Sequence, residues 1–487
     1  MNILLTSVGR RSYLVKYFQE ALNGQGEVHV ANSSEVSPAF QVADKAVVTP
    51  LIYDDNYIPF LKNYCVENNI SAIISLFDID LPILSKHKKE FMDIGVIVVV
   101  SDYSAIEVCN DKWKTYQFLL SHGFNAPKTF LSVGDVIEAV KNGEISYPVM
   151  IKPRWGMGSI AVFEAENEEE LLVLFKKARR NIEKTYLKYE SAENIEQSIL
   201  IQEKLSGQEY GLDVINDLQR NYINTIPKMK HAMRSGETDC AVTVDDQELK
   251  TIGKRLSESL HHIANLDTDV FKVGEKYYVL ELNARFGGGY PFSHMAGVNL
   301  PLAIVKWLKE EPVEKLLLTE RVNVMSQKDI NIVRLYLTPE MKIKKILDFE
   351  KVRTLVAEFE QLLIPTLSEC NIDIDSYSEK IFRNGTLYGA VDRNGEFMGI
   401  LAAYMNDKEK KTAYLTILAL KSKYRGLKLG EKLLCTAERD AGECGMKAFS
   451  LEVRKSNINA ICFYKAHGYS ISADASKTSY YMIKELS

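Results

Sequence analysis

Four short runs in the first hundred residues restrict what this chain can fold into more than any other feature. Ile3-Leu4-Leu5, Val28-His29-Val30, Ala72-Ile73-Ile74-Ser75-Leu76 and Val96 to Val100 are separated by amphipathic stretches of helical period. A run that is apolar at nearly every position, as in the last of these, needs cover on both faces, so helices must lie above and below the sheet. The rhythm predicts a doubly wound parallel α/β domain over residues 1–108. Its first turn, Ser7-Val8-Gly9-Arg10-Arg11, has one glycine and two arginines where a dinucleotide fold wants G-x-G-x-x-G, and gives a nicotinamide cofactor little support.

The length, 487 residues, allows about three domains. Hydrophobic residues at 46% and charged residues at 26% fit packed cores and exclude disordered and fibrous chains. A net charge of −5 supplies no field to hold a polyanion, so nucleic acid is not expected as a partner. Seven cysteines without a CxxC pair point to a reducing compartment, not to zinc or a disulfide framework. Met1 to Thr6 turns polar at once and its arginines follow the apolar run, unlike a signal peptide. Runs such as Gly95 to Val100 are too short to cross a bilayer. A soluble, cytoplasmic protein with no membrane partner is expected.

From about Asn110 the pattern turns α+β. A helix over Asp111 to His122 precedes strand signals at Pro148 to Lys152, Ser159 to Phe163, Leu200 to Glu203, Tyr210 to Ile215 and Tyr277 to Asn283. A last helical stretch, Pro291 to Glu310, is closed by Pro312. The polar stretch Thr319 to Lys328, ahead of a predicted strand at Ile330 to Leu335, puts a boundary near 325. The second domain is thus 109–325 and the third 326–487. The third reads as two helices, a hairpin over Thr386 to Tyr404 turning at Asp392-Arg393-Asn394-Gly395, and an αβα ending.

The middle domain carries the first chemistry. Val149-Met150-Ile151-Lys152, followed by Arg154-Trp155-Gly156-Met157-Gly158-Ser159, sets a lysine at a strand end with a glycine-bearing loop after it. Such a lysine reaches phosphate oxygens as a point charge, and the glycines let backbone N–H groups approach them. The loop lacks G-x-x-x-x-G-K-[ST], which excludes a P-loop. Further on, Glu281 and Asn283 are two apart and share a strand face, and Asp269 can sit opposite on the neighbouring strand. Hard oxygen donors of this kind suit Mg2+. The alternative, buried structural carboxylates without a metal, is costly unless they are paired.

In this order the motifs resemble the ATP-grasp superfamily, in particular its carbamoyl-phosphate-synthetase-like carboxylate–amine ligases, over about residues 1–315. The resemblance implies ATP and Mg2+ as cofactors. It makes Lys112 and Lys152 the phosphate lysines and Gly156, Gly158 and Ser159 the loop over the phosphates. Gln202-Glu203-Lys204-Leu205 becomes the hinge that holds adenine, with Glu203 and Leu205 at the nucleotide, and Glu209 the ribose ligand. Asp269, Glu281 and Asn283 take the metal, and Arg285 steadies the transferred phosphate. Pro227 to Thr238 resembles a basic segment near the acceptor pocket, where Arg234 would hold a substrate carboxylate. A solvated loop is the alternative for Lys228, Lys230 and His231. Asp78, in Phe77-Asp78-Ile79-Asp80 at a strand's carboxyl end, would face the active site or cap a helix.

In the third domain, the apolar strand Leu415 to Leu420 runs into Lys421-Ser422-Lys423-Tyr424-Arg425-Gly426-Leu427-Lys428-Leu429-Gly430 and an amphipathic helix. Strand, glycine-bearing loop and helix N-terminus make an anion site. With Ser456 to Tyr469 downstream, the segment resembles the GNAT acyltransferase superfamily over about 328–487. The resemblance implies acetyl-CoA or another acyl-CoA. Leu418 and Leu420 on the strand, Arg425, Gly426 and Gly430 in the loop, and Asn459 would bind it, and Tyr464 would be the general acid for the departing thiolate. Lys428 stands at the usual middle glycine, where it either adds charge to the phosphates or crowds the backbone's approach. Glu452 is the candidate base, and His467 reads as structural.

The expected fold class is therefore α/β and α+β in three domains: a doubly wound parallel sheet, an ATP-grasp fold and a GNAT fold. The expected function is bifunctional. An ATP- and magnesium-dependent ligase joins a small-molecule carboxylate to an amine, of amino acid or amino sugar type, through an acyl phosphate, and a tethered N-acyltransferase uses acyl-CoA. The alternatives are a GNAT half that only senses acyl-CoA, or a ligase with carboxyphosphate or thiol chemistry. Homodimers are common among relatives of this kind.

Overall fold

The four apolar runs, with one further edge strand, form a five-stranded parallel sheet. Its strands are β1 (Asn2–Thr6), β2 (Val28–Asn32), β3 (Lys45–Val48), β4 (Ile70–Ser75) and β5 (Ile97–Val99), in the order β3-β2-β1-β4-β5. The chain reverses its direction of travel across the sheet between β1 and β4, so a crevice beyond their carboxyl ends is available to a ligand. Both faces are covered, as the apolar runs require: Leu4 packs into one core while Ile3 and Leu5 pack into another. The structure, a computed structural model, describes residues 1–156, 161–185, 187–191, 194–333, 335, 341–392 and 395–486. It divides into a unit over residues 1–335 and a unit over 336–487.

The first unit adds two antiparallel sheets. The smaller holds β6 (Thr129–Phe130), β7 (Val149–Pro153), β8 (Phe163–Ala165) and β9 (Ile199–Glu203), in the order β6-β9-β7-β8. The larger holds β10 (Gln208–Asn216), β11 (Tyr222–Arg234), β12 (Glu237–Thr243), β13 (Ala264–Val273), β14 (Lys276–Asn283) and β15 (Met325–Gln327), in the order β14-β13-β10-β11-β12-β15. The parallel sheet and this larger sheet share cores. Leu4 and Ile73 pack with Leu212, Leu266 and Leu282, and Ile3 and Leu5 pack with Ile226, Phe286 and Tyr290. The small sheet has a core of its own, in which Val149, Ile151 and Ile201 meet Leu171 and Ile182 of the helix Glu168–Lys184.

Several local readings change. The stretch Thr319 to Lys328 holds β15, which pairs with β12 and so belongs to the first unit. Residues 330–333 form no strand. The helical stretch after Pro291 is two helices, Tyr290–Met295 and Leu300–Leu308, interrupted at Gly297, whose φ is 106°, and ended before Glu310 turns left-handed. Pro227 to Arg234 lies in β11 instead of a loop.

The second unit is one seven-stranded sheet. Its strands are β16 (Met341–Ile346), β17 (Gly385–Asp392), β18 (Phe397–Tyr404), β19 (Thr412–Leu420), β20 (Ala448–Arg454), β21 (Ser470–Ser476) and β22 (Ser479–Glu485), in the order β16-β17-β18-β19-β20-β22-β21. Helices Phe349–Phe359 and Ile374–Asn384 pack on one face and Leu429–Glu443 on the other. The hairpin β17–β18 forms as its Asn-Gly turn predicts, with residues 393 and 394 outside the described set. The ending is longer than αβα, because the hairpin β21–β22 closes the sheet edge.

Candidate active sites

In the first unit a cavity of about 460 Å3 lies between the small and the large antiparallel sheets. Lys112, Lys152, Gly156, Glu203, Leu205, Glu209, Asp269 and Glu281 line it together. Gly158 and Ser159 lie outside the described residues. Its apolar lining includes Met150, Phe271 and Leu280, which the motifs alone did not single out. Period two could have found two of them: Met150 shares a face of β7 with Lys152, and Phe271 a face of β13 with Asp269.

Each charged group is fixed by a local cause. Asp111 caps the helix Lys112–Ser121 by accepting from the N–H groups of Trp113 and Lys114, and the same carboxylate takes Arg154 at 2.7 and 2.8 Å. That double duty pins Lys112 at the helix start beside the end of β7. The Lys112 ammonium donates to the Gly156 carbonyl at 2.5 Å and lies 3.5 Å from Glu281. Lys152 is buried and donates to Gln202 at 2.7 Å; burial pulls its ammonium down to about 8. Burial pushes Glu281 upward, but Lys112, Lys152 and Arg285 outweigh it and hold its carboxyl below the ordinary range.

Asp269 stands opposite Glu281 in register. It accepts from Lys230 at 2.6 Å, and Lys230 also donates to Glu209 at 2.7 Å, so this lysine is buried between two of the expected ligands and is not a solvated group. Lys228 is deeper still, paired with Asp213 and Ser293 in the interior, while His231 is exposed. Among the described residues no three His, Cys, Asp or Glu side chains cluster as a metal site. The paired carboxylates of Asp269 and Glu281, with Asn283 on the same strand as Glu281, are the hard oxygen donors available, and that donor chemistry fits Mg2+.

Asn283 lines a second, small cavity beside the first, with Asp78, Lys112 and Glu281. Arg285 bridges Asp78, at 2.8 and 3.0 Å, and Asp267, at 3.2 Å. Asp78 therefore pairs across the two sheets and caps no helix. Arg11 adds a second tie, donating to the carbonyls of Leu76 and Phe286 at 2.6 and 2.8 Å. Arg234 is half-exposed at the end of β11 and pairs with Asp239 at 3.0 Å; its neighbours Met233 and Gly236 line the large cavity, and it does not.

In the second unit, β19 and β20 pair in parallel only from Thr412 and Ala448 to Leu415 and Leu451, and beyond that they part. Thr416 is an extra residue opposite the Ala402–Ala403 step of β18, a bulge that turns the strand's face, and Tyr377 of the facing helix touches its hydroxyl. The loop after β19 delivers Arg425, whose Nε donates to the Leu420 carbonyl at 3.3 Å, then Gly426 and Lys428 with φ of 76° and 57°. Lys428 is the N-cap of the helix Leu429–Glu443 and supplies no side-chain cap, which leaves the first N–H groups of that helix unclaimed by it. Leu418 and Leu420 lie half-buried on the strand before it. Tyr464 is buried on the helix Ile458–Ala466, and burial raises its phenol well above its usual range. Asn459 is exposed, and Asn457 caps that helix. His467 accepts a structural place, its Nδ1 2.7 Å from the Phe463 carbonyl.

Three family profiles meet these units. Residues 3–99 match the PylC-like N-terminal domain, residues 109–289 the ATP-grasp domain and residues 356–469 the acetyltransferase (GNAT) family. The chain carries an ATP-grasp domain and a GNAT domain. The carbamoyl phosphate synthase large chain of Pseudothermotoga lettingae is 25% identical to this protein over 284 residues, 56% of this chain and 24% of that one. The chain thus spans about a quarter of that curated relative. The biotin carboxylase domain of Hydrogenobacter thermophilus 2-oxoglutarate carboxylase, in complex with MgADP, ADP and bicarbonate, shares the fold with a TM-score of 0.50 and 16% identity, covering 64% of this chain and 70% of that one. The biotin carboxylase of Campylobacter jejuni, in complex with an ATP ligand, does so with a TM-score of 0.51 and 14% identity, covering 66% and 73%. No helix among the described residues is long and apolar enough to cross a membrane.

Proposed function

We propose that the first unit is an ATP- and magnesium-dependent ligase that joins a carboxylate to an amine through an acyl phosphate, and that the second transfers an acyl group from acyl-CoA to an amine. One observation carries the ligase reading: two lysines from different elements and two carboxylates facing in register border one cavity. A carboxylate oxygen of the substrate attacks the γ-phosphorus and ADP departs. The amine nitrogen then attacks the carbonyl carbon, phosphate leaves and the nitrogen loses a proton. Lys112 and Lys152 supply positive charge to phosphate oxygens, Met150, Phe271 and Leu280 offer the apolar surface a base needs, and Arg285 is held rigid between two carboxylates to meet the transferred group. Asp269, Glu281 and Asn283 would hold magnesium, which supplies further charge neutralisation when bound.

Release of ADP from the purified protein, screened over pairs of carboxylate and amine with the product weighed by mass spectrometry, tests the reading. ADP release that needs both substrates and magnesium, with a product mass equal to the two joined less water, is the expected result. No ADP with any pair removes the ligase. For the second unit, the divergence of β19 from β20 beside an uncapped helix N-terminus supports acyl-CoA as the donor. Lys428 at a left-handed position keeps the sensor reading in play, and calorimetry with acetyl-CoA beside a turnover assay separates the two: tight binding without transfer favours the sensor.

A further inference from the structure

The turn after β1 carries two arginines for which the ligase reading has no task. Its backbone is held in place: Ser7 Oγ donates to Asp80 at 2.9 Å, Ser37 Oγ to the Gly9 carbonyl at 2.5 Å, and the Arg11 N–H to the Val8 carbonyl at 2.9 Å. The turn opens at the carboxyl ends of β1 and β4, where the strand order reverses and open parallel sheets take their ligands. Arg10 is exposed there and forms no ion pair among the described residues.

Arg11 is fixed by one corner of its guanidinium. Nη1 gives its hydrogens to the carbonyls of Leu76, beyond β4, and Phe286, beyond β14. Nε and Nη2 keep their N–H donors, which make no hydrogen bond among the described residues. The Phe286 carbonyl also accepts from Arg285 Nη1 at 3.2 Å, so two guanidiniums converge on one oxygen. Their charges are met differently: Arg285 has Asp78 and Asp267, and Arg11 has no ion pair among the described residues. Other acids near the turn are engaged elsewhere, Asp80 with the hydroxyls of Thr6, Ser7 and Ser75, and Glu237 with Lys328 at 3.1 Å. Lys112, Lys152 and the magnesium of the ligase reading add positive charge toward the cavity, where the nucleotide phosphates and Glu281 answer it. Tyr13, in the first turn of the helix Ser12–Leu22, completes the group. Burial pushes its phenol up to about 12, within the field of Arg11, Glu237 and Arg285, and its hydroxyl makes no hydrogen bond among the described residues. A free guanidinium edge and a neutral phenol, beside the arginine held for the transferred phosphate, suit a carboxylate.

Resting on the ligase reading above, we propose that Arg11, with Tyr13 beside it, grips the carboxylate that is to be activated and presents it to the γ-phosphate next to Arg285. This is the place that Arg234, paired with Asp239 and outside the large cavity, does not take.

Carboxylate-dependent exchange of label between ADP and ATP, on the full-length protein and without an amine, reads the first step alone. Arg11→Lys keeps the charge and loses the planar fork; it should raise the KM for the carboxylate roughly 10- to 100-fold and leave the KM for ATP within about twofold of wild type. An unchanged carboxylate KM overturns the proposal. So does a rise in the KM for ATP as large as that for the carboxylate, which would leave Arg11 as no more than a tie between Leu76 and Phe286. Tyr13→Phe, which keeps the ring packed on its core, should raise the carboxylate KM roughly 3- to 10-fold, and it decides the matter if the arginine variant does not fold. Saturation transfer from the protein to acetate, with ADP and magnesium present, reads the site without turnover: a signal that Arg11→Lys weakens supports the proposal, and equal signals overturn it. Absence of exchange in the wild type with every carboxylate instead strikes the ligase reading, so the two failures are distinct.

Discussion

Lys228 and Lys230, two apart on one strand, show how little a charge pattern says about depth. Both read as candidates for a solvated loop, yet one closes an ion pair in the interior and the other sits between Glu209 and Asp269. What set their fate was the cross-strand register, which sequence spacing alone does not reveal. Lys152 and Glu281 were legible because strand alternation and the flanking motifs agree. Lys152→Ala or Glu281→Ala should lower ADP release by about 100-fold or more, read in the coupled assay with the fold checked by circular dichroism. His262 gives a prediction about stability. It is fully buried, and burial pulls its imidazole down to about 4. Folding therefore keeps it neutral while the unfolded chain protonates near its ordinary 6.5. The stability this gives is present above pH 6.5 and is lost as pH falls from there toward 4, by about 1.4 kcal/mol per unit. Urea midpoints measured at pH 7 and pH 5 should differ in the wild type, and His262→Gln should narrow the difference.

Two loops carry the proposed chemistry at the scale of elements, and each has a position where backbone or space decides. After β14, a Cβ on Gly287 would lie 2.0 Å from the Asp267 carboxylate carbon, backed by the pair that steadies Arg285. Gly287→Ala should push Asp267 aside, misplace Arg285 and cut ligase turnover roughly 10- to 100-fold, with acyl transfer by the other unit unchanged. After β19, Lys428 takes a left-handed φ, a conformation that costs an L side chain roughly 1 kcal/mol and that glycine adopts freely. Lys428→Gly should raise the stability of the second unit by about that amount and, through loss of a cation, weaken acetyl-CoA binding several-fold, measurable by thermal melting and calorimetry. Strands with strict alternation were readable from sequence in both units. β15 was not, because three polar-looking residues become a strand only when β12 offers an edge.

For the whole molecule, the two proposed reactions predict separable damage. Tyr464→Phe should slow acylation roughly 100-fold and leave ADP release alone, and Lys152→Ala should do the reverse. A loss of both activities in either variant would mean that the halves do not work independently. The ordered motifs made both fold families legible over most of the chain, but the position where one unit ends was set by β15 pairing backward. Asp78 was legible as a group at a strand end, and its tie to Arg285, far along the chain, was not.

The large cavity lies on the seam between two separately packed interiors, that of the small sheet and those shared by the parallel and larger antiparallel sheets. Widening that seam draws no apolar side chain from the heart of either body, so its cost falls on the polar ties that cross it, the buried Asp111–Arg154 pair among them, while each body stays solid. Amide protons along the seam should exchange with solvent well before those inside either body, and filling the cavity should slow them first.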